Sequence, residues 1–227
     1  GAVVQLNWTQ TKVYNSAAPA GTDRTWLGYL TRAATPPAPP ISAPDGTATP
    51  SDGLVGPTVS SASTIGDDYT WTFDATAGSL NAKTLAGSLD FEGKLTYQST
   101  NHGILISVAD PKIVLAGDGT GQLFATGDKS TSATYDQTEP VFNLDLSDAT
   151  CTLGWDGSLT LGNIVPSIAV EGYAFPGGAQ GYAAGAGPDR TPNTFGSFSL
   201  TGATCAPISG PAGAAGSDGV QGPAGPA

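Results

Sequence analysis

The chain has 227 residues, with 32 glycines, 18 prolines and only 12% charged residues, which suits one large domain rich in turns and short of long helices. Eight Lys and Arg against nineteen Asp and Glu give a net charge of -11, which argues against a surface-wide attraction to nucleic acid or anionic lipid. No apolar run approaches the roughly 18 residues that suggest a membrane span, so membrane insertion is not expected. There is no initiator methionine or signal peptide, and the chain reads as the mature part of a longer precursor.

In chain order, the first strand is expected over Val3 to Thr9, with Val4, Leu6 and Trp8 on one face. Arg24-Thr-Trp-Leu-Gly-Tyr-Leu-Thr-Arg32 is a short aromatic block compatible with helix or strand, with Tyr29 at its centre. Residues 33–57, which include Thr35-Pro-Pro-Ala-Pro-Pro40, read as a long surface loop with local polyproline II character. Strand character returns at Tyr69-Thr-Trp-Thr-Phe73.

The clearest signal is Gly87 to Leu115. Leu89, Phe91, Leu95 and Tyr97 share one parity while Asp90, Glu92, Lys94 and Thr96 share the other, the alternation of a half-buried strand. After Ser99-Thr-Asn101 a second strand runs from Gly103 to Val108, and is expected to stop at Asp110-Pro111 because proline removes a ladder donor. His102, the only histidine, has the parity of Ile104, Ile106 and Val108, and so belongs at the mouth of a β core. Further strands are expected at Leu123 to Ala125, Val141 to Leu146, Leu159 to Leu161, Ile164 to Val170 and Phe195 to Leu200. Between the last two lies a glycine-dense, irregular segment, Tyr173 to Asp189, that carries Tyr182.

The pattern is all-β: an antiparallel β-sandwich or curled sheet with at most short helices. Cys151 and Cys205 occur in matching Ala-Thr-Cys contexts after candidate strands, and a disulfide between them is the expected use, implying an oxidising compartment. From Gly210 the chain reads as six unbroken Gly-X-Y triplets, the period a collagen triple helix demands because only glycine fits at its axis. The expected organisation is a β domain over 1–205 holding the loop 33–57, then a linker and the start of a collagen-like stalk over 206–227, with trimer formation through the stalk.

Three stretches together resemble the HtaA domain of actinobacterial surface proteins of haem uptake. They are Thr25-Trp-Leu-Gly-Tyr29-Leu30, then Phe91 through His102-Gly103 to Asp110-Pro111, and Gly181-Tyr182-Ala-Ala-Gly185. Trp26 stands where the family usually has Phe, and Tyr97 is an additional aromatic near His102. The resemblance implies a secreted, cell-surface module of iron acquisition that captures or relays ferric haem without turnover. It would bind b-type haem non-covalently and meet haem or haem-carrying proteins. It also implies Tyr29 as the axial ligand of the haem iron, His102 as its partner or an alternative ligand, and Tyr182 as a pocket residue. A phenolate is a hard anionic donor suited to ferric iron. Residue chemistry adds Arg24 and Arg32 as partners for propionates and Trp26 as a contact for the porphyrin face.

Two other classes are compatible with the residues. One is a structural or adhesive head on a collagen-like stalk, of the surface-fibre or phage-fibre type, that binds no haem. The other, an enzyme, has little support: one histidine excludes an HExxH site and there is no G-x-S-x-G elbow. No enzymatic activity is expected.

Overall fold

The structure is a computed structural model. It describes residues 4–13, 25–31, 46–81, 83–100, 103–129, 133–155, 158–170, 172–175 and 195–204. The strands in chain order are β1 (Gln5–Thr11), β2 (Thr47–Ser51), β3 (Val59–Ser60), β4 (Asp68–Leu80), β5 (Gly87–Glu92), β6 (Lys94–Ser99) and β7 (Ile104–Leu115). They continue as β8 (Thr120–Lys129), β9 (Ala133–Tyr135), β10 (Phe142–Asp145), β11 (Thr150–Leu153), β12 (Ser158–Ile168) and β13 (Ser197–Thr204), and one short helix, α1 (Trp26–Leu30), follows β1.

All pairings are antiparallel, and eight strands close on themselves in the order β7-β5-β4-β1-β13-β12-β10-β8, with β8 returning to β7. Closure removes the exposed sheet edges that an open sheet of this size would carry. The all-β expectation is therefore met, and the curled sheet goes all the way to a ring. Along β1, Leu6 and Trp8 are buried while Asn7 and Thr9 are not; β4 repeats the pattern with Trp71 and Phe73, and β10 with Phe142 and Leu144. Leu6 pairs with Phe73 and Trp8 with Trp71 and Phe198, so large apolar groups stand in cross-strand rows.

The Gly87 to Leu115 hairpin departs from its expected form in two ways. The first arm divides at Gly93 into β5 and β6, although the burial of Leu89, Phe91, Leu95 and Tyr97 keeps its alternation across the break. The second arm does not end at Asp110-Pro111 but continues to Leu115. A bulge accommodates the proline: Asp110 has φ of +46°, its N–H reaches the Gly93 carbonyl at 2.9 Å, and the ladder to β8 shifts register between Ala109 and Lys112. Pro111 thus falls where no ladder donor is needed.

The loop expected over 33–57 is also corrected in its second half. Residues 47–51 form β2, paired with β6 along five positions from Thr47↔Gln98 to Ser51↔Lys94. Pro50 is tolerated because β3 covers only Thr47 and Ala48, leaving the far side of Pro50 free of a ladder. Residues 32–45 lie outside the described set.

The disulfide expected between Cys151 and Cys205 is not supported. Cys151 is a free, exposed thiol on β11. It pairs with Leu161 of β12, and Leu161 pairs in turn with Leu200 of β13, so a whole strand separates Cys151 from β13. Cys205 itself lies outside the described residues.

Candidate functional site

α1 is one turn long, and its length follows from its caps. Thr25 has extended backbone and its hydroxyl accepts from the Gly28 N–H at 3.0 Å, an N-cap; at the other end the Thr31 hydroxyl and N–H both donate to the Leu27 carbonyl. Trp26, Leu27, Gly28 and Leu30 are buried, while Tyr29 alone among the helical residues is only half-buried, at the edge of the core. The helix thus drives four residues inward and leaves one phenol at the rim.

The end of β1 fixes the position of this helix. Thr25 donates its N–H to the Val13 carbonyl at 2.9 Å, and its hydroxyl accepts from the Val13 N–H at 3.1 Å. A β-carbon on Gly28 would stand 1.9 Å from the Val13 carbonyl oxygen, so only glycine permits this approach. One residue earlier, Lys12 is fully buried and its ammonium donates to the carbonyls of Ser60 at 2.7 Å, Ser61 at 3.3 Å and Ser63 at 2.7 Å. Burial lowers its pKa, while the three carbonyls compensate the buried charge. Lys12 therefore clamps the turn after β3 to the strand end that carries α1.

Beneath the helix lies an aromatic floor. Trp26 meets Tyr97 at 5.9 Å and Phe175 at 5.3 Å, both edge-on, and stacks on Phe195 at 5.9 Å. Phe175 and Phe195 are themselves 5.0 Å apart, and the Trp8 indole N–H donates to the Phe195 carbonyl at 2.7 Å. These two phenylalanines flank residues 176–194, the glycine-dense stretch that carries Tyr182. Both anchors of that stretch are consequently held against the helix that carries Tyr29.

The β6–β7 hairpin arrives at the same place. A β-carbon on Gly46 would lie 1.6 Å from the Leu30 carbonyl oxygen, so the start of β2 abuts the end of α1. The next residue, Thr47, pairs with Gln98, one position before Ser99, which pairs with Ile104 across the hairpin. Gly103 N–H donates to the Thr100 carbonyl at 3.2 Å and closes the turn. His102 belongs to that turn by sequence.

Of the six residues expected to bind, Tyr29 and Trp26 are described; Arg24, Arg32, His102 and Tyr182 lie outside the described residues. Trp26 is 1% exposed, and its ring is engaged with the floor. The structure adds a buried polar pair that sequence reasoning did not identify: the Gln10 amide donates to the Tyr97 hydroxyl, and Gln10 Oε1 has no partner although it is buried. Burial raises the Tyr97 pKa well above its usual value, so this phenol stays neutral. The signal was present in the sequence: Gln10 and Lys12 continue the inward parity of Leu6 and Trp8, and a polar residue at an inward position must have a partner.

Among the described residues no group of three or more His, Cys, Asp and Glu is arranged to hold a metal ion, and no helix is long and apolar enough to cross a membrane. The chain is similar in structure to the C-terminal domain of HtaA from Corynebacterium glutamicum, with 15% identity and a TM-score of 0.47 over 88% of this chain and 99% of that one. A domain-swapped dimer of a histidine-to-alanine variant of the same domain gives 17% identity and a TM-score of 0.41 over 69% of this chain and 82% of that one. No curated protein matches the chain. The HtaA family model, described as Htaa, matches residues 41–191, which take in His102 and Tyr182 and begin after Tyr29. That match covers well over half of the sequence, and the chain belongs to the HtaA family, which is associated with haem uptake.

Proposed function

We propose that this domain is a cell-surface module that binds ferric haem and passes it on without chemical change. The observation that carries the reading is the convergence of three chain segments at one end of the ring. α1 presents Tyr29 at the rim, the β6–β7 turn abuts it through β2, and the two anchors of 176–194 pack on Trp26. The donor chemistry fits the cargo. A phenol ligates ferric iron as its anion, and with a free pKa of about 10 it needs the metal charge and a hydrogen-bonding neighbour to lose its proton at neutral pH.

In this reading Tyr29 is the axial ligand, His102 the imidazole that hydrogen-bonds or replaces it, and Tyr182 a wall of the pocket. Arg24 and Arg32 flank the helix and pair with propionates, and Trp26 supports the ligand helix from below. The one-turn helix, capped and wedged against Val13, holds its phenol in place before haem arrives, so little ordering cost falls on binding. Residues 206–227 serve as linker and collagen-like stalk, which sets the domain off a surface as one head of a trimer.

Hemin titration of the full chain, followed by Soret absorbance, tests this. One saturable site per chain that is weakened strongly in Tyr29→Ala and measurably in His102→Ala is expected. Absence of a saturable site in the wild-type chain would instead make the domain a structural or adhesive head.

A further inference from the structure

The chain holds five lysines, and all of them are described. Lys12 is buried among three carbonyls, Lys94 pairs with Asp128 at 3.2 Å, and Lys112 pairs with Asp90 at 3.3 Å. Lys83 lies in the turn after β4, at the end of the ring away from α1. Lys129, the last residue of β8, makes no ion pair with a described residue. Its ammonium instead stands over the Tyr173 ring, 5.7 Å from the centroid, within the range of a cation–π contact. The platform under it is fixed. Tyr173 donates its hydroxyl to the Asp136 carbonyl and packs at 5.5 Å on Tyr135, whose own hydroxyl donates to the Ser107 carbonyl. The neighbouring carboxylates have other donors: Asp128 accepts from Ser107 and Lys94, and Asp136 accepts from the Thr138 N–H and hydroxyl and lies 3.3 Å from the Tyr173 hydroxyl.

We infer that Lys129 binds a carboxylate of the haem cargo, so that the macrocycle lies across the mouth of the ring with Tyr29 toward one wall and its acidic edge toward the other. The inference rests on the haem reading given above and adds a cation from a second wall to Arg24 and Arg32. Placement is its argument. β1 and β8 stand four steps apart in the closed ring of eight, so they lie on opposite sides of it; every pairing is antiparallel, so they also run in the same direction. The end of β1 that leads to α1 and the end of β8 that bears Lys129 therefore belong to the same mouth. Aromatic rings line the way between them. Tyr29 lies 6.1 Å from Trp26, Trp26 lies 5.3 Å from Phe175, and Tyr173, two residues before Phe175, carries the ammonium. Two residues of chain span at most about 7 Å, so Lys129 stands one step beyond the aromatic floor.

The chemistry of the cargo matches this layout. Haem carries its iron at the centre of an apolar macrocycle and both propionates on one edge, so a cation displaced from Tyr29 along the floor stands where that edge can reach it. The need for such a cation is general to this chain, because a net charge of -11 repels an anionic ligand unless the sign is reversed locally. Lys129 is half-buried, and the Tyr173 face restrains its ammonium before the ligand arrives while leaving donors free for a carboxylate. A charge-assisted hydrogen bond formed there is stronger than an ion pair on an open surface.

The test titrates the full chain with hemin and, separately, with hemin dimethyl ester, both followed by Soret absorbance. The two ligands share iron and macrocycle and differ only in whether the carboxylates are free. Lys129→Gln is expected to weaken hemin about fivefold and to leave the ester unchanged, the scale of one partly exposed charged hydrogen bond. Lys129→Arg, which keeps the charge, is expected to hold hemin affinity within about twofold of the wild type. An equal loss for both ligands in Lys129→Gln would make the side chain a packing group on Tyr173 and overturn the inference. Unchanged hemin affinity in that variant would overturn it too, and in both cases the haem reading stands. A wild-type chain that takes up neither ligand overturns the haem reading and the Lys129 assignment together.

Discussion

Substituting Gly28 by alanine sets two effects of opposite sign against each other. In an isolated helix alanine is favoured over glycine by about 1 kcal/mol, so propensity alone makes Gly28→Ala stabilising. The structure reverses the sign. The new β-carbon would lie 1.9 Å from the Val13 oxygen and 2.5 Å from its carbon, and real β-carbons do not approach closer than 3.0 Å, so helix and strand end must separate by at least 1.1 Å (3.0 minus 1.9). Neither neighbour yields easily: Val13 follows the buried Lys12, and Trp26 is packed among Tyr97, Phe175 and Phe195. Overpacking of this kind costs about 1–3 kcal/mol, and loosening the two Thr25–Val13 hydrogen bonds adds about 1 kcal/mol each. The net loss, with the propensity gain set against it, is about 3 kcal/mol, or roughly 6–12 °C in melting temperature for a domain of this size. Thermal unfolding by circular dichroism measures it. Hemin affinity should fall about tenfold with it, the equivalent of ~1.4 kcal/mol, because Tyr29 moves with the helix. An unchanged or raised melting temperature would refute the wedge argument, since that is what helix propensity alone gives.

Lys12→Met keeps the length of the side chain and removes its three donors, leaving the carbonyls of Ser60, Ser61 and Ser63 without their partner. The expected loss is about 3 kcal/mol, or roughly 6–12 °C in the same thermal assay. A loss within error would mean that water replaces the ammonium at no cost. Acid stability tests the carboxylates. Hydrogen bonds from Thr120, Ser107, Thr138 and Ser147 hold Asp118, Asp128, Asp136 and Asp145 below the usual aspartate pKa. The unfolded chain therefore binds more protons than the folded one, and the melting temperature is full above about pH 4 and declines as pH falls through the folded-state values. Asp128→Asn, which also ends the 3.2 Å pair with Lys94, should flatten that decline. An identical slope in this variant would contradict the assignment for Asp128.

Much of the ring was legible because its strands obey a period of two. Leu6 and Trp8, and Leu89, Phe91, Leu95 and Tyr97, were placed on shared faces by alternation alone, and all are buried. What escaped was what alternation does not encode. β2 reads Thr-Ala-Thr-Pro-Ser, with Ala48 as its one buried position, so it resembles the loop around it; only pairing with β6 makes it a strand. Pro111 looked like a stop because the bulge that absorbs it depends on Asp110 and Gly93 meeting across the hairpin. The disulfide was read from matched cysteine contexts, which say nothing of strand order, and β12 lies between Cys151 and β13. α1 is too short to show a helical period. Its helical state comes from Thr25, Gly28 and Val13 meeting across a gap of twelve residues. At the candidate site, α1 and its aromatic floor could be read only in part. Phe175 and Phe195 are twenty positions apart, and nothing local marks them as the two ends of one clasp.

The most direct test of the central claim is to ask which atom ligates the iron. Resonance Raman and electron paramagnetic resonance spectra of the hemin-loaded full chain should be compared with those of Tyr29→Phe, which keeps the ring and removes only the hydroxyl. High-spin ferric haem with tyrosinate bands in the wild type, absent in Tyr29→Phe while His102→Ala retains them, is the predicted result. Tyrosinate bands that persist in Tyr29→Phe, or a wild-type chain that takes up no haem, would contradict it.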